Sequence, residues 1–411
     1  MSRIEINFVN YSPEFNNKNL IEKASKLFEN IRKKNVKGFE HFGFHDLVLN
    51  FDKQNFLELT NFSNHLHSRE CDNLIIFCNP NDMKNFDLAN SFLFKNDLLE
   101  NNRIKMHFFV DQRPELWQRV YLNIKHLFFN KKTSFLFIGQ SKYSDEFLEF
   151  IKLILNKIQL EEGYYRALKR CYVIAKQALE KQLSFIEIEE ENKIIMPSIL
   201  TNGFSFFAES NLFLLLIKGC NLFSLIEGYE STIQNFNNEN LEENIAFQYA
   251  YTRSLKGKAL NYHFITSNNI ILHNSLVLQT NLNNKFLKNN NFSYFCTFPD
   301  SIYSYGQYII DNNKNMYVTF YNIKDEKLDY QLSDDIHIND GIENYNTTKV
   351  SKFRNSSDEG IIEVISNVLS IPMCIITLLD NSISTLGSLI AFIYWSWIYE
   401  CYLNETNPFE I

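Results

Sequence analysis

Short unbroken apolar runs alternate with longer segments of helical period along this chain. Leu74 to Cys78, Met106 to Val110 and Ser134 to Ile138 are dense enough to predict buried strands of the parallel type. Leu20, Ala24, Leu27 and Ile31 recur at helical spacing and predict a charged helix over 19–34, after an extended start at Ile4 to Phe8. A second amphipathic helix is predicted over 145–158. Strands alternating with helices imply a parallel sheet with helices on its faces, in which ligands sit at the carboxyl ends of the strands. The turns after Phe77 and Ile138 are therefore candidate sites.

The densest apolar stretch follows a polar turn at Thr201-Asn202-Gly203. Between Phe204 and Leu216 the apolar residues stand at both i+3 and i+4, which predicts a helix buried on most of its surface. The turn would then lie just before a helix N-terminus, where free N–H groups and the dipole suit a phosphate. Residues 187–193, EIEEENK, read as a solvated connection between two halves. The apolar run from Leu386 to Trp397 falls short of the roughly 18 residues of a membrane span and is followed by Glu400, so it predicts a buried core helix.

Composition narrows the classes. A chain of 411 residues suggests two or three domains, and 45% hydrophobic with 15% aromatic content fits a globular protein. A net charge of −8 argues against a nucleic-acid partner. The asparagine runs follow the coding bias of an AT-rich genome and carry no functional weight. Glycine is scarce, at 12 residues, which counts against loops that must cradle phosphate closely. The seven cysteines lie scattered without CxxC pairs, so neither a disulfide framework nor a zinc site is expected. His41 with His45 and His65 with His67 have spacings compatible with a metal pair, but nothing completes either set, and no metal or other cofactor is expected. The first fifteen residues lack a secretory pattern. A cytoplasmic protein without membrane insertion is the expectation.

Several segments, in order, resemble the glucose-6-phosphate isomerase family in its short bacterial form. They are Phe204-Ser205 with Gly219 and Leu225 to Gly228, Ser141 with Glu146, Leu241 to Ala250, Phe298 to Tyr308, and Ser384 to Gly387 continuing to Asn407-Pro408-Phe409. The resemblance implies an α/β fold of two sugar-isomerase (SIS)-type αβα sandwiches with parallel sheets. An N-terminal helical extension would take residues 1–60, the first sandwich 61–190, and the second 191–411 with the C-terminal helices. It also implies a homodimer.

The family's chemistry is altered in this chain. Its isomerisation needs a carboxylate base, a ring-opening histidine and lysine, and an arginine. The base falls near Asn281 to Lys285, at Leu282, and no Asp or Glu occurs from Asn244 to Pro299. The histidine falls at Tyr303, which titrates near 10 and is a poor substitute at neutral pH. The arginine falls at Gly203, and the tail lysine lies past Ile411. The first phosphate loop reads Cys78-Asn79-Pro80-Asn81-Asp82, without glycine and with an added negative charge. Ser141 and Ser144 remain as a vestigial phosphate-binding pair. His263 and His273 are candidate replacement bases. Arg253, Lys256, Lys258, Lys285 and Lys288 form either a basic face for an acidic partner or a solvated surface.

The leading expectation is an inactive homologue kept as a scaffold subunit among protein partners, with sugar phosphate disfavoured as a ligand. The alternatives are a working glucose-6-phosphate isomerase with a rebuilt site and a sugar-phosphate sensor using Ser141 and Ser144.

Overall fold

The computed structural model describes residues 3–94, 104–198, 200–201, 203–236, 240–285, 291–326, 329–332 and 348–410. In chain order the elements begin β1 (Ile4–Val9), α1 (Lys18–Arg32), α2 (Gly43–Leu49), α3 (Lys53–Ser68), β2 (Asn73–Cys78), α4 (Pro80–Leu93), β3 (Lys105–Val110), α5 (Pro114–Ile124) and β4 (Thr133–Gly139). There follow α6 (Asp145–Glu162), α7 (Tyr164–Leu168), β5 (Cys171–Lys176), α8 (Gln177–Gln182), β6 (Lys193–Met196), α9 (Glu209–Ile217), α10 (Leu222–Phe236) and α11 (Ile245–Ala259). The chain ends with β7 (Tyr262–Ser267), α12 (His273–Asn283), β8 (Phe292–Thr297), α13 (Ile302–Asp311), β9 (Met316–Asp325), α14 (Val350–Glu363), β10 (Met373–Asp380) and α15 (Ile383–Leu403).

Two compact units emerge, residues 40–90 with 94–226, and residues 1–39 with 91–93 and 227–411. This division differs from boundaries at 60 and 190. Residues 1–39 join the later unit because β1 pairs antiparallel with β10, Ile4 opposite Leu378.

In the unit that holds β2, five strands run parallel in the order β3-β2-β4-β5-β6. Period-two alternation sends Ile75, Phe77, Phe135, Phe137 and Val173 to one face, where they meet Trp117 of α5 and Phe147, Ile151 and Ile154 of α6. On the other face Tyr172 meets Phe62 of α3 edge-on, ring centroids 5.4 Å apart. Residues 187–193 do not connect two halves. Ile188 and Asn192 are buried among the exposed acids, and the segment feeds β6, which pairs with β5 in the same sheet. Tertiary burial of two residues overrode an acidic local composition.

The second unit has the order β1-β10-β9-β7-β8, parallel except for β1. One face packs Phe264, Val318, Phe320 and Met373 on Ile309 of α13 and Ile361 of α14. The other carries Tyr249 of α11, whose hydroxyl lies 3.0 Å from Thr319 Oγ1. Helix α15 is buried from Thr385 to Cys401, as a core helix should be. Among the described residues no helix is long and apolar enough to cross a membrane.

Candidate functional site

The carboxyl ends of β2, β3 and β4 meet within the first sheet, and their side chains bond to one another. Cys78 ends β2, and its carbonyl accepts the N–H of Asp111, the first residue after β3, at 2.8 Å. The Asp111 carboxylate then takes two donors from Ser144, the backbone N–H at 2.7 Å and the hydroxyl at 2.6 Å. Ser144 is the N-cap of α6 and its Oγ also accepts the Phe147 N–H at 3.3 Å. An internal carboxylate thus lies where a helix end offers N–H groups and a positive dipole.

The loop between Gly139 and Ser144 is fastened along its length. Asn79 Nδ2 donates to the Ser141 carbonyl at 3.0 Å. Gln182 brackets Tyr143, accepting its N–H at 2.9 Å and donating to its carbonyl at 3.0 Å. The buried Tyr143 hydroxyl sits 2.7 Å from the Phe77 carbonyl and 2.9 Å from that of Ile138. At Gly139 a Cβ would come within 2.6 Å of Asn79 Nδ2 and 2.8 Å of Leu179 Cδ2, so a larger residue there would displace those side chains, including the Asn79 amide that holds Ser141. The side chains of Ser141 and Lys142 are exposed.

Charge at these strand ends is negative. Asp82, in the first turn of α4, is 4% exposed and accepts from Ser210 Oγ at 3.2 Å. Burial pushes its carboxyl up to about 6, against the pull of that hydrogen bond. The Cys78 thiol is raised well above its ordinary range by burial and then by Asp82, Asp87 and Asp111.

Thr201 and Gly203 do not stand at a helix N-terminus, and Asn202 lies outside the described residues. Helix α9 starts at Glu209, and Phe204, Phe206, Phe207 and Ala208 are buried in irregular chain before it. Their apolar spacing reflects tertiary packing, with Ser205 Oγ held by Asn85 Nδ2 of α4 at 3.0 Å. Gly203 adopts φ +97°, a conformation that disfavours the arginine of the family pattern. His41 Nδ1 lies 3.1 Å from Thr201 Oγ1.

In the second unit the remaining sequence candidates lie apart in chemistry. Leu282 of α12 is buried at 2% exposure, whereas Tyr303 near the start of α13 is 93% exposed. His263 is fully buried, with Nδ1 3.1 Å from Ser293 Oγ and Nε2 2.8 Å from Thr319 Oγ1. It stacks on Tyr317 at 4.1 Å, and burial followed by Arg253 lowers it well below the usual imidazole range. Such a histidine stays neutral and reaches no solvent. His273 is exposed and meets the Phe295 ring edge-on at 4.8 Å.

Arg253 does not contribute to a basic face. It is 2% exposed and pairs with Glu400 of α15 at 3.1 Å. Lys256 Nζ lies 3.8 Å from the centre of the Tyr11 ring, Lys258 is exposed, and Lys288 lies outside the described residues. Among the described residues no group of three or more His, Cys, Asp or Glu could hold a metal ion.

Asp111 was missed by sequence reasoning, although its place directly after an apolar strand was a usable signal. Replacing it with alanine removes two hydrogen bonds and is expected to cost about 1–3 kcal/mol, at about 0.5–1.5 kcal/mol for each. The more telling readout is the Ser144 amide resonance. It should shift with added inorganic phosphate in Asp111→Ala and stay fixed in the parent protein.

The parallel sheets with helical crossovers, and loops leading into helix ends at the strand termini, define an α/β fold of the sugar-isomerase type. The chain is similar along its full length to glucose-6-phosphate isomerases. It is 24% identical over 424 residues to that of Mycoplasmopsis pulmonis, covering 100% of this chain and 96% of the relative. With that of Mycoplasma mobile the identity is 26% over 259 residues, 61% of this chain and 60% of the relative. In three dimensions a glucose-6-phosphate isomerase from Chlamydia trachomatis superposes with a TM-score of 0.72 at 10% identity, covering 99% of this chain and 85% of the other. A hypothetical protein from Thermus thermophilus gives 0.79 at 13% identity, covering 99% and 96%. No protein-family model matches the sequence.

Proposed function

We propose that this chain is a non-catalytic homologue of glucose-6-phosphate isomerase, kept as a structural subunit of a larger protein assembly in the cytoplasm. The observation that carries the reading is the Asp111 carboxylate on the Ser144 N–H and hydroxyl. Ser144 belongs to the loop that resembles the family's phosphate loop, and an aspartate of this chain occupies its N–H and hydroxyl. A dianion approaching them would also meet the Asp111 charge, with Lys142 as the loop's own cation.

The acid–base side of the chemistry supports the same reading. No carboxylate stands between Asn244 and Pro299, where the family's base belongs. His263 is buried and bonded at both nitrogens, so it has no free site for a substrate proton. Loss of one general acid or base lowers a rate by about 10²–10⁴, and several are replaced here. Protein partners then account for retention of the fold. A homodimer is part of this reading, and nucleic acid is not.

The similarity to isomerases along the whole chain favours a second reading, a working aldose–ketose isomerase with a rebuilt site. A coupled assay for conversion of fructose 6-phosphate to glucose 6-phosphate separates the two. The purified protein is expected to run at less than about a hundredth of the rate of an intact isomerase. A rate above that would overturn the structural-subunit reading and turn attention to Tyr303 and His273 as proton donors.

A further inference from the structure

The unit built on β2 contains a cavity of about 220 Å³ between α2, α3 and α9, well away in sequence from the Asp111–Ser144 loop. Its lining divides by chemistry. Asp46, Glu58 and Glu209 supply carboxyl groups, and Phe51, Leu59 and Leu212 supply an apolar wall. Among the described residues no lysine, arginine or histidine lines it.

Glu209 is the unusual member. Its Oε2 is buried and has no hydrogen-bond partner, although a buried carboxyl oxygen without one is costly. Burial pushes this carboxyl up, its own backbone N–H pulls it back, and Glu58 pushes it up again, to about 7. Two acidic groups on facing helices, α3 and α9, thus share one cavity without a cation between them. The natural complement is a positive charge, which would offset both the burial and the mutual repulsion. A divalent metal fits poorly, because no three candidate ligands converge among the described residues. The apolar wall calls instead for hydrocarbon next to the charge.

We infer that this cavity binds a small alkyl cation, an ammonium or guanidinium on a short hydrocarbon chain, with Glu209 and Glu58 as counter-ions and Phe51, Leu59 and Leu212 around the chain. The inference does not depend on whether the protein catalyses a reaction. Such a cation reaches the cavity either as a free amine or as the side chain of a basic residue in a partner protein. Both carry the same chemistry.

The test is calorimetric titration of the full-length protein with n-butylammonium, with n-butanol as the neutral isostere, at pH 8. The cation is expected to bind at least about tenfold more tightly than the alcohol, and Glu209→Gln to lose about tenfold. Glu58→Gln, at an exposed position, tests the second counter-ion and should weaken binding severalfold even if the Glu209 variant folds poorly. A capped lysine, N-acetyl-lysine methylamide, forms a further arm. Binding matching that of n-butylammonium supports a partner's side chain as the source, and preference for the free amine supports a small molecule. Equal affinity for cation and alcohol, no binding at millimolar concentration, or no loss in either variant would overturn the inference.

Discussion

Glu400→Leu is expected to lower the unfolding free energy by about 3–5 kcal/mol, because it strands a buried guanidinium without a counter-charge. Arg253 on α11 and Glu400 on α15 contact each other at two points, Nη2 to Oε1 at 3.2 Å and Nε to Oε2 at 3.1 Å. Their side chains are 2% and 8% exposed, so water cannot take over either charge. The double replacement Arg253→Met with Glu400→Leu should recover most of the loss. Removing both charges restores a neutral interior, whereas removing one leaves the full desolvation cost. Urea unfolding followed by far-UV circular dichroism, arranged as a double-mutant cycle, measures the coupling. A single-variant loss below about 1 kcal/mol would mean that the pair is far better solvated than its burial implies.

The second large effect is a loss of stability as pH rises. In the folded protein Asp82 titrates at about 6 and Glu209 at about 7, against ordinary values of 3.8 and 4.5. Between the unfolded and folded values the folded state holds more protons, so stability falls with increasing pH. The contribution is fully present below about pH 4. It is lost as pH passes about 6 for Asp82 and about 7 for Glu209. At 1.36 kcal/mol per pH unit the change is about 3 kcal/mol for each group. Asp82→Asn and Glu209→Gln remove the titrating proton while keeping shape. Each variant should therefore lose less stability than the parent between pH 5 and pH 8. Parallel pH profiles for parent and variants would refute the assignment.

Both effects come from acids held inside the fold, and this bears on function. A catalytic carboxylate must face substrate, yet Asp82 is bonded to Ser210, Asp111 accepts from Ser144 at the head of α6, and Glu400 neutralises Arg253. Each is committed to holding the fold.

The sequence by itself determined that β2, β3 and β4 are buried strands of a parallel sheet and that a helix follows β4. Runs such as Leu74 to Cys78 are apolar at every position, and only a strand covered on both faces accepts that pattern. It determined that α15 is a core helix, since too few apolar residues precede Glu400 for a membrane span. It also determined that no acid stands from Asn244 to Pro299, which is a fact of composition. Tertiary structure alone decided the rest. It moved the start of α9 from Phe204 to Glu209, because apolar residues buried in irregular chain have the same spacing as those on a helix. It joined β1 to β10 across the length of the chain, a pairing that no local signal encodes. It set Asp111 on Ser144, Glu400 on Arg253 and Glu58 across from Glu209, because the fate of a charge depends on what folds against it.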